Sequence, residues 1–76
     1  MKAFVLISLL SCDERQVLEE LKDLEEVKKG FILFGEWDIM VEIQLKDAEE
    51  LGTFVMDKIR SRDDVKLTSS LIVAGQ

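Results

Sequence analysis

The hydrophobic pattern of this chain occurs twice. Each copy has a short apolar segment, then a segment with apolar residues at helical spacing, then a second short apolar segment. The first copy covers residues 2–34 and the second covers residues 38–73. Strand-like segments on both sides of a helical one favour βαβ units. The pattern therefore predicts the element order βαββαβ, a split βαβ arrangement, for a chain of 76 residues.

Four segments are predicted to be strands, because they are rich in β-branched and aromatic residues and end at polar or glycine residues. They cover residues 2–10, 27–34, 38–45 and 65–73. The third alternates in the way of a strand with one buried face, since apolar residues recur at Ile39, Val41, Ile43 and Leu45. Gly35 lies between the second and third strands, and its tolerance of a positive φ favours a tight type II′ hairpin there.

Two segments are predicted to be helices with one apolar side. Their apolar positions are Val17, Leu18, Leu21 and Leu24 in the first, and Ala48, Leu51, Val55 and Ile59 in the second. Ser11 and Glu14 form a capping-box pattern for the first helix, which is expected to end near residue 25. Asp47 is the expected cap of the second helix. Phe54 and Met56 flank its apolar side, either at the edge of the core or at a further contact.

Together these elements predict an α+β, ferredoxin-like fold. Right-handed crossovers place both helices on one face of a four-stranded antiparallel sheet. No proline, linker or low-complexity segment interrupts the chain, so residues 1–76 are expected to form a single domain. The apolar start of the chain is better explained as the first strand than as a signal peptide, because the sheet needs that strand. With no cysteine pair in the chain, we expect a cytoplasmic protein.

The second face of the predicted sheet is apolar as well, although the helices cover only the first. An uncovered face of an antiparallel sheet is normally polar, and an exposed apolar patch of this size is rare on a monomer. We infer that a second copy of the chain covers this face, with an interface that includes Phe4, Leu6, Ile32 and Phe34. A domain this small also needs such help, because its single cysteine excludes an internal disulfide.

Charge and composition exclude several classes of function. A net charge of −6 repels nucleic acid and anionic lipid, so neither is an expected direct partner. No apolar stretch reaches the roughly 20 residues that a membrane-spanning helix needs. The chain has no histidine and one cysteine, so it lacks the ligands of an ordinary zinc site and a base to activate a nucleophile. We therefore expect no metal, no cofactor and no catalysis.

Two polar features remain as candidates for a binding site. The first is the turn at residues 35–38, which reads GEWD and places the only tryptophan, Trp37, at the expected tip of a hairpin. Trp37 is interpreted either as the wall of a ligand site or as a lid over the end of the core. The second is the run Thr68, Ser69 and Ser70, which interrupts an apolar strand. These hydroxyls either contact a ligand or mark a half-exposed edge strand.

The stretch from residue 27 to residue 73 resembles the ligand-binding domain, called the RAM domain, of the Lrp/AsnC or feast/famine transcriptional regulators. In that family a strand ends in a Gly-x-Tyr-Asp turn, which corresponds here to Gly35-Glu36-Trp37-Asp38. The family's run of threonines in the last strand corresponds to residues 68–70. Such regulators usually carry an N-terminal helix-turn-helix, whereas this chain begins at the first strand. It looks like the stand-alone form of the domain, without a DNA-binding domain.

The resemblance implies a module that binds a free amino acid, forms dimers that assemble into rings, and regulates transcription through full-length regulators of the family. The implied ligand site contains Gly35, Glu36, Trp37, Asp38, Thr53, Thr68, Ser69 and Ser70. In this site Asp38 takes the ammonium group of the amino acid. The N–H groups of the turn, with Thr68 and Ser70, hold its carboxylate. Trp37 forms the wall for the side chain, and Thr53 helps to select that side chain.

Two other classes of function stay open. The chain is a purely structural oligomerisation domain if it binds no ligand, in which case the tryptophan and the hydroxyls only join the chains. Alternatively it is a small dimeric enzyme of the same fold, although it has no recognisable acid–base pair. An ACT-type amino-acid-binding domain is related in fold, but the glycine-marked turn usual after its first strand is missing here.

Overall fold

The computed structural model describes residues 1–10 and 13–75, and its elements follow the predicted order. The strands are β1 (Lys2–Leu9), β2 (Val27–Ile32), β3 (Ile39–Gln44) and β4 (Val65–Ile72). The helices are α1 (Glu14–Lys22) and α2 (Ala48–Phe54), and α2 continues directly as a π-helical segment at Val55–Arg60. The predicted strands each extend slightly beyond the observed ones. Within the described ranges, no helix has the length and apolar character needed to cross a membrane.

The four strands form one antiparallel sheet in the order β2-β3-β1-β4. The central strands are therefore β1 and β3, and the edge strands are β2 and β4. Each helix connects two strands that are not neighbours, as the split βαβ arrangement requires. The predicted α+β, ferredoxin-like fold with a four-stranded antiparallel sheet is confirmed.

The core lies between the two helices and one face of the sheet. The sheet contributes six side chains without exposed surface, namely Ala3, Val5, Ile7, Ile39, Val41 and Ile43. The helical segments contribute Val17, Leu21, Leu51, Phe54, Val55 and Ile59. The predicted alternation of β3 and most of both helical stripes are confirmed. Ala48 is exposed, however, and Phe54 is buried instead, because the buried stripe of this helix starts only at Leu51 and repeats three and four residues later.

An aspartate caps each helix by accepting a hydrogen bond from a backbone N–H of the first turn. The Asp13 carboxylate accepts from the N–H of Gln16 at 3.2 Å. The Asp47 carboxylate accepts from the N–H of Glu50 at 2.9 Å. The cap at Asp47 is the predicted one. Both caps fix the start of a helix by pairing an N–H group that the helix itself leaves without a partner.

The first helix is shorter than predicted, since it covers Glu14–Lys22 and does not reach residue 25. The predicted capping residue Ser11 lies outside the described residues, as does Cys12. After the helix, the N–H of Leu24 donates to the carbonyl oxygen of Leu21 at 3.1 Å. This bond tightens the end of the helix and turns the chain towards β2.

The other face of the sheet, which we call the open face, is covered by neither helix. Directly paired residues of antiparallel strands share a face, so the strand pairing identifies its members. Its apolar residues are Phe4, Leu6, Phe31, Met40, Leu67 and Leu71. Phe31 is 43% exposed, and Leu67 and Leu71 are exposed to a similar extent. The open face therefore carries the predicted apolar cluster, with the charged residues Glu42 and Lys29 paired on the same face.

Two of the predicted interface residues are placed differently. Ile32 pairs with Ile39 of the core, so it lies on the helix side, and the expectation that it shares a face with Phe4 and Leu6 is wrong. The pairing of β2 with β3 shifts between Val27 and Lys29, and one extra residue in a strand moves all later side chains to the other face. Phe31 therefore takes the place expected for Ile32. Phe34 lies in the loop after β2 and is fully exposed.

Candidate functional site

The turn at residues 35–38 leads from β2 into β3. The N–H of Leu33 donates to the carbonyl oxygen of Asp38 at 2.9 Å, which closes a loop over residues 34–37. Gly35 has a φ of 152°, in the region that favours glycine. The predicted hairpin and its positive φ are confirmed. The predicted type II′ turn is wrong, because that turn has only two residues in its loop.

Hydrogen bonds to both neighbouring strands hold Asp38. Its backbone N–H donates to the carbonyl oxygen of Ile7 at 2.9 Å, and its carbonyl oxygen accepts from Leu33. Its carboxylate oxygen Oδ2 accepts from the backbone N–H of Leu9 at 2.7 Å. Within residues 1–10 and 13–75, the second carboxylate oxygen, Oδ1, accepts no hydrogen bond. One oxygen of this half-buried carboxylate therefore remains able to accept from a cation.

The turn also carries unpaired backbone donors. The N–H groups of Gly35, Glu36 and Trp37 donate no hydrogen bond to any residue that the structure describes. Gly35 and Glu36 are exposed, and the side chain of Trp37 is half-buried. Consecutive N–H groups are suited to an anion, and the carboxylate of Asp38 follows them in the chain. The turn therefore offers donors for an anionic group and an acceptor for a cationic one.

The hydroxyls of β4 divide between the two faces of the sheet. Thr68 and Ser70 pair with core residues of β1, so they lie on the helix side. Ser69 pairs with Leu6 and lies on the open face. Thr68 and Ser69 are half-buried, whereas Ser70 is exposed. The run lies on an edge strand and is partly exposed, which fits either interpretation of its hydroxyls, and only Thr68 and Ser70 share a face.

Thr53 is separated from the turn by β3 in the chain. It belongs to α2, which begins beyond the last residue of β3, whereas the turn precedes the first residue of that strand. Thr53 lines a concavity with Lys46, Asp47, Glu49 and Glu50, and Thr68 lines another with Arg60, Val65, Lys66 and Leu67. Neither concavity includes a residue of the turn. Neither of these two concavities therefore gathers the predicted site residues.

Two cations beside Thr68 were not predicted from the sequence. Lys66 and Arg60 line the same concavity as Thr68 and add positive charge beside its hydroxyl. Lys66 lies two residues before Thr68 on β4, so the alternation of the strand is a signal that identifies it. Arg60 comes close because the π-helical segment ends beside β4, which local sequence does not reveal. Both side chains suit an anionic group at this edge of the sheet.

Arg62 joins the loop before β4 to α1. Its Nε and one Nη donate to the two carboxylate oxygens of Asp64, each at 3.0 Å, and that Nη also donates to Glu20 at 2.8 Å. The hydrogen bonds from Arg62 lower the pKa of Asp64 below its usual value, and they do the same for Glu20 with help from Gln16. The carbonyl oxygen of Asp64 accepts from the N–H of Leu10 at 2.8 Å. This network fastens α1 to the end of β1.

Replacing Arg62 by glutamine is expected to give a pH-dependent loss of stability. A carboxyl whose pKa is lower in the folded chain stabilises the fold above its unfolded pKa of about 4, and this contribution is lost as the pH falls through the folded pKa. Arg62→Gln should therefore be less stable than the wild type at pH 7, and the difference should shrink below about pH 4. Urea unfolding of both chains across this range measures it. Arg15→Gln, at an exposed position on α1, is the control, and a difference that is constant with pH would contradict the prediction.

The chain is similar to one known protein family, both in sequence and in structure. The family model of the Lrp/AsnC ligand binding domain matches residues 2–76. An uncharacterised HTH-type transcriptional regulator of Pyrococcus abyssi is 34% identical over 73 residues, which cover 96% of this chain and 46% of the relative. The chain spans 39% to 49% of the length of the curated relatives that it matches.

Solved structures share the fold. A protein of Thermus thermophilus superposes with a TM-score of 0.90 at 29% identity, covering 99% of this chain and 94% of that one. A transcriptional regulator of Neisseria meningitidis, solved as a complex with L-Met, superposes with a TM-score of 0.87 at 26% identity. That match covers 99% of this chain and 50% of the regulator. The predicted resemblance is confirmed, and the chain belongs to the Lrp/AsnC ligand-binding domain family.

Proposed function

We propose that this chain is an amino-acid-binding regulatory domain that catalyses no reaction and influences transcription by assembling with full-length regulators of its family. The family match and the curated relatives, which are HTH-type transcriptional regulators, support this proposal. The Neisseria meningitidis neighbour binds L-Met, so a free amino acid is an established ligand of one related protein. In this proposal residues 1–76 act in the cytoplasm as one domain.

The observation that carries the proposal is the presence of opposite hydrogen-bonding groups at the turn. A free amino acid carries an ammonium group and a carboxylate on the same carbon atom. Oδ1 of Asp38 accepts from the ammonium as a charge-assisted hydrogen bond. The unpaired N–H groups of Gly35 and Trp37 donate to the carboxylate, with the hydroxyls of Thr68 and Ser70 as further donors. This division of roles gives both charged groups of the ligand a partner.

The remaining candidate residues shape and surround the site. The half-buried indole of Trp37 supplies an apolar wall for the side chain of the amino acid. Glu36, beside it, adds negative charge near the ammonium. Thr53 lies away from the turn of its own chain, and Ser69 lies on the open face. Thr53 therefore reaches a ligand at the turn only across a contact between chains, whereas Ser69 lies on the face proposed to join two chains into a dimer and so lies apart from a site between dimers.

Dimer formation through the open face supports the same proposal. Phe4 and Leu6 lie at the centre of this face because β1 is a central strand, and Phe31 extends it over β2. Covering such a face with a second copy removes apolar surface from water, which stabilises the dimer by roughly 25 cal/mol for each Å² of apolar surface buried. The dimers then assemble into a ring, in which the turn of one dimer meets a neighbouring dimer. Ile32 and the exposed Phe34 lie outside the open face, at positions that suit this second contact.

Isothermal titration calorimetry against the twenty common L-amino acids tests the proposal. The concentration of the chain is kept well above any plausible dimer dissociation constant, and the mass of the assembly is checked by light scattering. Binding of a few chemically related amino acids, with a change in Trp37 fluorescence, is the expected result. Binding without any change in Trp37 fluorescence would contradict its role as the wall of the site.

A purely structural oligomerisation domain is the second candidate function. The bond from Leu9 to the carboxylate of Asp38 favours it, because it gives the acidic residue of the turn a structural role without any ligand. A folded, oligomeric chain that binds none of the twenty amino acids would support this candidate and contradict the amino-acid-binding proposal. The same titration therefore separates the two functions.

A further inference from the structure

The hydrogen-bond ladder between β1 and β3 ends one bonded pair earlier than its register would allow. The N–H and carbonyl of Met1 both bond to Leu45, at 2.7 Å and 2.9 Å, so Met1 faces β3. Backbone groups of a strand face the same neighbour at every second residue, so Ile7 and Leu9 also face β3. The last pair of the ladder is Ile7 with Ile39. Continued by two residues, the same register pairs Leu9 with Trp37.

This last pair does not form, because the chain leaves the register at Asp38. The N–H of Leu9 donates to Oδ2 of Asp38 at 2.7 Å, in place of the carbonyl oxygen of Trp37. Asp38 also donates its own N–H to the carbonyl oxygen of Ile7. The backbone of Trp37 is consequently left out of the ladder, and its N–H stays unpaired within the described residues. A side-chain carboxylate has replaced a strand carbonyl as the partner of Leu9.

The opposite side of β1 is fastened at the same place. The pairing of β1 with β4 shifts between Ser8 and Leu9, and the N–H of Leu10 donates to the carbonyl oxygen of Asp64 at 2.8 Å. The end of β1 is therefore fixed to β4 by backbone bonds and to β3 by the carboxylate of Asp38. A fixed end of β1 gives this carboxylate a defined position relative to the turn.

We infer that Asp38 is a positioning residue of the ligand site as well as a ligand contact, an inference that rests on the proposed function. Its Oδ2 accepts from the N–H of Leu9, which keeps Trp37 out of the sheet and leaves the N–H of Trp37 available for a carboxylate. Its Oδ1 accepts from the ammonium. One carboxylate thus builds the donor side of the site with one oxygen and contributes the acceptor side with the other.

The two roles separate in a pair of substitutions. Asp38→Asn removes the charge but keeps a carbonyl oxygen that accepts from Leu9, whereas Asp38→Ala removes both. The amide of Leu9 should therefore exchange with solvent about tenfold faster or more in Asp38→Ala than in the wild type, and at nearly the wild-type rate in Asp38→Asn. Hydrogen exchange followed by NMR measures this in the intact chain without any ligand.

Affinity gives the second readout. The probe is the amino acid that binds most tightly in the calorimetric screen. Asp38→Asn should weaken its binding about tenfold through the lost charge, and Asp38→Ala should weaken it by about a further tenfold because the turn is no longer held open. The substitutions Asp63→Asn and Asp63→Ala, at an exposed loop position, are the matched controls and should change neither readout.

The results that overturn the inference differ from those that overturn the proposed function. Unchanged exchange of the Leu9 amide in Asp38→Ala, or equal affinities of Asp38→Asn and Asp38→Ala, overturns the positioning role. Absence of binding to every amino acid in the wild-type chain overturns the proposed function. In that event the exchange of Leu9 still decides whether Asp38 holds the end of β1.

Discussion

Replacing Ile7 by alanine is expected to lower the free energy of unfolding by about 2 to 5 kcal/mol. Ile7 has no exposed surface and lies on the central strand β1, where its side chain belongs to the core. Removing its outer carbons loses their transfer free energy and leaves a cavity that the two neighbouring strands cannot fill by moving. Small domains are stable by only roughly 5 to 15 kcal/mol in total, so this loss is a large fraction of the whole.

Urea unfolding followed by circular dichroism, at a fixed chain concentration, measures the effect of Ile7→Ala. Fixing the concentration matters because an oligomer gains stability by mass action. Ile72→Ala is the matched control, since it makes the same chemical change on the same side of the sheet at a residue that is 47% exposed. Its cost should be well below that of Ile7→Ala. Equal costs for the two variants would contradict the assignment of Ile7 to the core.

Replacing Leu6 by glutamate is expected to abolish the proposed dimer while leaving the chain folded. Leu6 lies in the middle of the open face, where it pairs with Met40 and Ser69. In a single chain the new carboxylate is wet, so the fold is little affected. In the dimer it is a buried charge without a partner, which costs several kcal/mol. A penalty of about 3 kcal/mol or more raises the dimer dissociation constant by two orders of magnitude or more.

Sedimentation equilibrium of Leu6→Glu over a range of concentrations tests this expectation. The mass should fall to that of a single chain, with an unchanged circular dichroism spectrum. Met56→Glu is the matched control, because it places the same charge at an apolar residue of the helix side that is 64% exposed. This control should keep the dimer. A dimer of undiminished stability in Leu6→Glu would show that the open face is not the interface.

The order of the strands and helices could be predicted from the sequence because each element has its own periodic pattern of apolar residues. The alternation at Ile39, Val41 and Ile43 identifies β3 without reference to any other strand. The cap at Asp47 is equally local, since the acceptor and its N–H donor lie three residues apart. The missed details are of a different kind. The face of Ile32 depends on an extra residue in the pairing of β2 with β3, and nothing in β2 alone reveals that shift.

The candidate site could be predicted only in part, because contacts between distant segments leave no local pattern in the sequence. Gly35 and Asp38 stand out in the sequence because the turn has a distinctive composition. The hydrogen bond from Leu9 to Asp38 joins residues that are far apart in the chain, so no local sequence pattern indicates it. Arg60 comes close to Thr68 through the approach of the π-helical segment to β4. Sequence patterns identified the residues of the turn, whereas their hydrogen-bond partners could be identified only from the fold.

The sequence by itself determined the secondary structure order, the apolar character of both sheet faces and the position of the turn, because these depend on the spacing of residues along the chain. Only the tertiary structure decided which side chains share a face, which oxygen of Asp38 is occupied, and that Thr53 lies apart from the turn. The physical reason is that strand register and hydrogen bonding between distant segments follow from the packing of the whole chain. A single extra residue in one strand, too small a change for hydrophobic periodicity to register, reverses the side of every residue beyond it.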